Sequence, residues 1–312
     1  MNSSVTRPEH IIPVYLELET LEYAIVVLFI TSLGLIGNII VILKILCDPA
    51  FHKTPYIAFL TLALSDLICL ILYIVQAVVE HVNTEFANEN GEVFMAITYA
   101  TTHASAAHVI LFLGLRYFYV RAPIKARLLQ NRNIIKWSFA IWASSIVFGT
   151  LYFVLRFEIP NIDVQAVVLS FRGYLLFLPV CFIVYFHIQK VHELHHSINI
   201  LGLKSHIRRM SRMLTVILFV YILSALLFPV CFILIYNKVC EEERECTHIL
   251  IIARIMWLVN ASINPVVYFI YSRKTRLFLA SLFKKFAKRR SVTGRELISM
   301  NNLKTPVTPT KL

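Results

Sequence analysis

Apolar residues run through this chain in seven long blocks separated by short polar stretches. The blocks cover about 22–46, 56–79, 93–118, 135–155, 167–188, 212–236 and 249–271. A helix needs about 20 apolar residues to cross a bilayer core of roughly 30 Å, and every block reaches or exceeds that length. A helix also satisfies its own backbone hydrogen bonds in hydrocarbon, where no water can do so. Strand-length alternation between turns, the mark of a membrane barrel, is absent. The third block is the most polar, with Thr98, Thr101, Thr102, His103, Ser105 and His108. Such a helix is expected to face other helices rather than lipid. The pattern therefore predicts an all-α membrane protein, a seven-transmembrane helix bundle over 22–271 preceded by the segment 1–21.

Composition agrees with that pattern and excludes an ordinary soluble domain. Hydrophobic residues make up 58% of the 312 positions and charged residues only 15%, and the mean hydropathy is +0.71. A water-soluble core could not hide so much apolar surface. No basic n-region and cleavage site precede the first block, so it is expected to serve as signal and anchor together.

Charge adds an orientation. Residues 1–21 carry Arg7 against Glu9, Glu17 and Glu19, and the second connection carries Glu80, Glu85, Glu89 and Glu92. The sixth connection sets Lys238 and Arg244 against Glu241, Glu242, Glu243 and Glu245. The alternate connections are basic, with Arg116, Arg121, Lys125, Arg127, Arg132 and Lys136 around the third and Lys190, Lys204, Arg208, Arg209 and Arg212 around the fifth. Lys and Arg collect on the cytoplasmic side, so the N-terminus is expected outside, the C-terminus inside, and the plasma membrane is the expected location. The net charge of +12 then reflects topology and attraction to the inner leaflet, with membrane lipid as the partner and no nucleic acid. Asn2-Ser3-Ser4 is a glycosylation sequon on the outer side. Cys240 and Cys246 share an outer connection, where oxidation is permitted and a small local disulfide is one reading. Cys69, Cys181 and Cys231 lie inside blocks and read as small apolar packing residues.

Polar markers within the blocks are more specific than their number. The first block has Gly37-Asn38, the second Leu62-Ala63-Leu64-Ser65-Asp66, and the third ends in Leu115-Arg116-Tyr117. Trp142, Pro179 and Pro229 mark the next three, and Asn264-Pro265-Val266-Val267-Tyr268 closes the last. In this order the series resembles the rhodopsin-like (class A) G-protein-coupled receptors over about residues 22–290. The resemblance implies an extracellular ligand, a heterotrimeric G protein inside, and coupling and switch roles for Arg116, Tyr117, Pro229, Asn264, Pro265 and Tyr268.

Asp66 at mid-span needs company, because an unpaired charge there costs several kcal/mol. Asn38, Ser105, Asn260 and Asn264 are the candidate neighbours, and Asn260 and Asn264 share a helix face at i,i+4. Two readings stand. The resemblance implies a sodium and water pocket formed by Asp66, Ser105, Asn260 and Asn264, the one cofactor it suggests; a protonated Asp66 in a purely structural polar network is the other. Arg116 likewise reads as the family's switch arginine or as an arginine snorkelling to the interface.

Several positions depart from the family pattern. Leu115 replaces the acid usually beside Arg116, Leu227 the aromatic before Pro229, and Gly91 stands near the outer end of the third block where the family has a disulfide cysteine. After Tyr268, residues 272–290 place Phe278, Leu279, Leu282, Phe283 and Phe286 on one helical face and Lys284, Lys285, Lys288 and Arg289 on the other. They predict a cytoplasmic amphipathic eighth helix under the inner leaflet. The Ser- and Thr-bearing tail 291–312 is expected to be disordered, and phosphorylation there is one route to arrestin.

The ligand is expected between the outer ends of the helices. Tyr73, Gln76 and Glu80 on the second, Thr98, Tyr99 and Thr102 on the third, and Arg254 on the seventh are the candidate contacts. Arg254 lies about 15 Å from Asn264 by helix rise, and either meets a ligand carboxylate or pairs internally with Glu80. The third helix has no carboxylate at the family's amine-binding position, which the resemblance takes to disfavour a biogenic amine, and the absence of Lys from the seventh block excludes a retinal Schiff base. A peptide or a small chemosensory molecule remains. No metal-ligand spacing, phosphate-cradling glycine loop or nucleophile elbow is present, so no enzyme is expected. The competing readings are a non-coupling pseudo-receptor and a membrane transporter or channel; the latter calls for internal repeats, which are absent.

Overall fold

The computed structural model describes residues 21–157, 159, 162–196, 203–236 and 243–271. Among them the regular structure is helical throughout. The helices are α1 (Leu21–Cys47), α2 (Thr54–Val82), α3 (Thr84–Glu89), α4 (Gly91–Arg121), α5 (Pro123–Arg127), α6 (Asn131–Phe157), α7 (Val164–His196), α8 (Leu203–Tyr236) and α9 (Glu243–Tyr271). A 3-10 turn, Pro49–Phe51, joins α1 to α2. Seven of these helices are long, one for each apolar block. Chain contacts divide the molecule into Met1–Val267, which holds the bundle, and Tyr268–Leu312, whose described part is the last turn of α9.

Local chemistry starts and stops the helices. Asp48 accepts a hydrogen bond from the Ala50 amide at 3.0 Å and caps the 3-10 turn. Its carboxyl also takes Lys44 Nζ at 2.5 Å, and this bond first, then the amide, holds its pKa below the usual 3.8. Proline sits in the first turn of both α2 and α5, where its missing amide hydrogen costs nothing. Asn83 accepts from the Phe86 amide at 3.0 Å to start α3. In α4, Glu92 lies in the first turn and Arg121 in the last, each matched to the helix dipole.

Tyr23–Cys47, Thr54–Val79, Gly91–Tyr119, Asn131–Phe157 and Val164–Phe186 are long and apolar enough to span a bilayer, and Leu218–Cys231 and Ile251–Val267 add shorter apolar runs. The chain is a multi-pass membrane protein. Large apolar side chains such as Leu28, Phe139, Phe177 and Phe219 are exposed on the outside of the bundle, where lipid is the favourable neighbour. The polar face of α4 is turned inward: Thr101, Ser105 and His108 are buried. His108 donates from Nδ1 to the Ala104 carbonyl at 2.7 Å and its Nε2 lies 2.8 Å from Ser138 Oγ of α6.

Packing is tightest where α6 crosses α4. A Cβ on Gly149 would lie 2.6 Å from the Ala96 carbonyl oxygen and 2.8 Å from Ala100 Cβ. Only a glycine permits that approach, since the obstacle is backbone. Gly34 of α1 is also in close contact, here with the side chains of Ser262 of α9 and Leu70 of α2. Among the described residues, one buried apolar cluster inside the bundle holds Ala96, Tyr99, Tyr152, Val167, Phe171 and Leu175, and another holds Leu70, Leu258 and Ala261. Gly149→Val is therefore expected to destabilise the bundle by about 1–3 kcal/mol, the usual range for overpacking. Thermal unfolding of the purified receptor checks this; an unchanged midpoint would contradict the close crossing.

Candidate functional site

A polar core occupies the middle of the bundle. Asp66 of α2 is fully buried. Ser105 Oγ of α4 donates to Asp66 Oδ1 at 2.5 Å, and Asn264 Nδ2 of α9 donates to Asp66 Oδ2 at 2.8 Å. Each carboxyl oxygen thus receives one hydrogen bond, and three helices meet at one side chain. Asn38 is buried too, but spends its amide on backbone: Nδ2 donates to Gly34 O at 2.9 Å and to Ala261 O at 3.3 Å. It ties α1 to α9 without bonding Asp66. Asn260 is half-buried and makes no hydrogen bond to Asp66. The structure therefore brings Asp66, Ser105 and Asn264 together and sets Asn260 apart from them. The side-chain oxygens of Asn38 and Asn264 are buried without a hydrogen-bond partner among the described residues.

Toward the end of the bundle that carries Arg116, the α4 side chains pack aromatic rings. The Arg116 guanidinium lies over the Phe112 ring, 5.0 Å from its centroid, and Phe112 packs on Phe59 of α2 at 5.4 Å. Leu115 is buried. Arg121 Nη1 donates to the Tyr117 hydroxyl at 2.9 Å, and the Tyr117 ring meets Phe186 of α7 at 5.8 Å. Pro229 lies inside α8 and Pro265, buried, inside α9, where each removes a helix hydrogen bond. Tyr268 belongs to the last turns of α9, and its side chain lies outside the described residues.

At the opposite end, Tyr99 packs against Tyr152 at 4.5 Å and Phe171 at 5.5 Å, under the Arg172 guanidinium at 5.2 Å. Its hydroxyl is buried with no hydrogen-bond partner among the described residues. Thr98 and Thr102 are half-buried on the same helix. The Tyr73 ring packs at a tilt on that of Trp257, centroids 5.8 Å apart, with its hydroxyl 3.5 Å from that of Tyr23. Gln76 and Arg254 are half-buried. The side chains of Glu80 and Cys246 lie outside the described residues, as do Asn2, Cys240 and the segments 1–20 and 272–312, so the sequon, the disulfide, the eighth helix and the tail fall there as well.

Two features escaped the sequence reading. Glu92 at the start of α4 is clasped by α6: Arg156 Nη2 pairs with its Oε1, and the Tyr152 hydroxyl donates to Oε2 at 2.9 Å. The available signal was that Glu92 begins one block and Arg156 ends the next, as two antiparallel neighbours require. His103 was noted only as polar. It sits 2.8 Å from Ser145 Oγ through Nδ1 and 3.2 Å from the Tyr174 hydroxyl through Nε2, stacked on Phe148 at 4.9 Å. It joins α4 to both α6 and α7.

The description "7 transmembrane receptor (rhodopsin family)" matches residues 37–268, from the Gly37-Asn38 marker of α1 to Tyr268 of α9. The chain belongs to the rhodopsin family of seven-transmembrane receptors. No curated protein matches it.

The Glu92 clasp stands at the start of α4. Breaking a fully buried ion pair costs about 3–5 kcal/mol. With the Glu92 side chain 26% exposed, Glu92→Ala is expected to cost about 2 kcal/mol, and Tyr152→Phe about 1 kcal/mol. Thermal unfolding measures both. Equal midpoints for wild type and Glu92→Ala would remove the clasp from the account.

Proposed function

We propose that this receptor sits in the plasma membrane with the Glu92 end outside and the Arg116 end in the cytoplasm. A ligand bound at the outer end then promotes guanine-nucleotide exchange on a heterotrimeric G protein at the inner end. The distribution of Lys and Arg supports the orientation. The observation that carries the reading is the hydrogen-bonded junction of α2, α4 and α9 at Asp66. It lies between the two ends, so a shift of α2 disturbs its bonds to both α4 and α9, and a shift of either of those disturbs its own. A ligand acts on such a junction only through unequal affinity for its arrangements. Pro265 removes a hydrogen bond one residue beyond Asn264, leaving α9 free to bend where it meets the core.

At the inner end Arg116 rests on Phe112 and has buried Leu115 as its neighbour where most relatives place an acid. No acid stands at position 115 to make that pair, which supports basal signalling. Cells expressing the receptor without ligand are expected to signal above an empty-vector control, with Arg116→Ala returning the signal to that control. A well-expressed, silent wild type would contradict this and favour the non-coupling pseudo-receptor.

The polar core also suits a sodium ion. One carboxyl, one hydroxyl and the unpartnered amide oxygen of Asn264 make an all-oxygen donor set at Asp66, the chemistry a hard cation takes. The ion would add positive charge beside Asp66 and favour the arrangement in which Ser105 and Asn264 converge. Sodium is then expected to lower basal signalling of the wild type in membranes and to leave Asp66→Asn unaffected. Equal sodium responses from the two would refute the site.

At the outer end the candidate contacts Tyr73, Gln76, Thr98, Tyr99, Thr102 and Arg254 support a ligand with polar groups. These residues suit a small chemosensory molecule or a peptide terminus. Phosphorylation of the C-terminal Ser and Thr residues is the proposed route to arrestin.

A further inference from the structure

The fifth apolar block ends at 188, yet α7 continues to His196 and α8 begins at Leu203. Those added turns hold His192, His195, His196 and, on α8, His206. In a connecting loop, positions 192 and 196 would have no metal-ligand spacing. On a helix they share one face, because positions four apart are neighbours there. That is the interval at which two helical histidines hold zinc. His192 is exposed, and position 195 borders the same face, three residues on from it.

The fold brings a histidine of the next helix to the same depth. The Tyr221 hydroxyl of α8 donates to the Leu175 carbonyl of α7 at 2.7 Å, which sets these two consecutive spans side by side. From that bond, His192 lies about 26 Å onward along α7 and His206 about 22 Å back along α8, at a rise of about 1.5 Å per residue. In two antiparallel neighbours those positions fall within about one helical turn of each other in depth. Phe186 of α7 packs on Tyr117, so the histidine turns continue beyond the Arg116 end of the bundle.

Charge selects the ion. Between 187 and 212 the chain sets Glu193 against Lys190, Lys204, Arg208, Arg209 and Arg212. A hard cation such as Mg2+ takes oxygen ligands, carboxylates above all, and this stretch supplies one. Neutral imidazoles suit Zn2+ instead. We propose that His192 and His196 on α7 and His206 on α8 form a Zn2+ site that ties the ends of these two helices together. Three imidazoles leave the fourth tetrahedral position to water. A metal held this way couples two helices that otherwise meet at these ends only through the chain that joins them. The cytosol as the source of the zinc rests on the orientation proposed above.

The test is isothermal titration of ZnCl2 into the full-length receptor, purified in detergent through a tag that contains no histidine. Loss of a mere outer-shell partner weakens a metal site about 10–100-fold. His192→Gln and His206→Gln are therefore each expected to weaken Zn2+ binding by at least about tenfold. His52→Gln and His248→Gln, at exposed histidines elsewhere, are expected to bind like the wild type. Wild-type affinity in His192→Gln would overturn the site, and wild-type affinity in His206→Gln would overturn the bridge to α8. Mg2+ competing as well as unlabelled Zn2+ would also overturn it. The wild type alone decides where a variant does not fold: diethyl pyrocarbonate, mapped by mass spectrometry, is expected to modify His192, His196 and His206 in the metal-free receptor and to spare them with Zn2+. Equal modification with and without Zn2+ would overturn the proposal. Binding in detergent does not depend on which face is cytoplasmic. A C-terminal tag in intact cells reads that separately, and a tag accessible from outside would overturn the cytosolic source alone.

Discussion

A carboxyl group buried in the middle of a membrane bundle must find hydrogen-bond donors, and the placement of those donors constrains everything around it. Asp66 takes Ser105 from α4 and Asn264 from α9, one on each oxygen. Those two bonds set the rotation and depth of three helices together. Asn38 then fixes α1 to the backbone of α9 a few residues away, and Gly34 lets those helices approach closely enough for it to reach. Apolar packing alone would not set this register, because lipid tails solvate a leucine as well as a neighbouring helix does. A few polar side chains therefore carry the specificity of the bundle, while its exposed apolar surface faces lipid.

The two ends of α4 are held by different physics. At its start, Glu92 is gripped by Arg156 and Tyr152 of α6, a charged contact in a partly buried setting. At its finish, Arg116 lies on an aromatic ring and Tyr117 packs on α7. Ion pairs demand geometry, whereas a guanidinium over a ring tolerates sliding. This distribution suits the proposed receptor, in which a firm outer end meets the ligand and the inner end rearranges.

Much of the fold was legible from hydropathy because the bilayer imposes one length on every crossing. α7 and α8 run past the predicted blocks, to His196 and from Leu203. Their extra turns are polar, so an apolar count misses them although the backbone hydrogen bonds continue. Asp66, Ser105 and Asn264 were recognisable as partners because each is polar at matching depth. Asn38 and Asn260 were equally polar, and only helix rotation separates one that bonds backbone from one that does not reach the carboxyl at all. The Glu92–Arg156 pair spans 64 positions, a separation no local pattern encodes. His103 was invisible for the same reason, since its partners Ser145 and Tyr174 come from two other helices.

The proposed mechanism stands or falls on whether Asp66 and Asn264 act as one unit. A double-mutant cycle of Asp66→Asn and Asn264→Ala, read as ligand-free nucleotide exchange on purified G protein by the full-length receptor, measures that directly. The account predicts an interaction energy above about 1 kcal/mol, as residues in one hydrogen-bond network show. Single effects that add to within about 0.3 kcal/mol, as independent sites do, would contradict it.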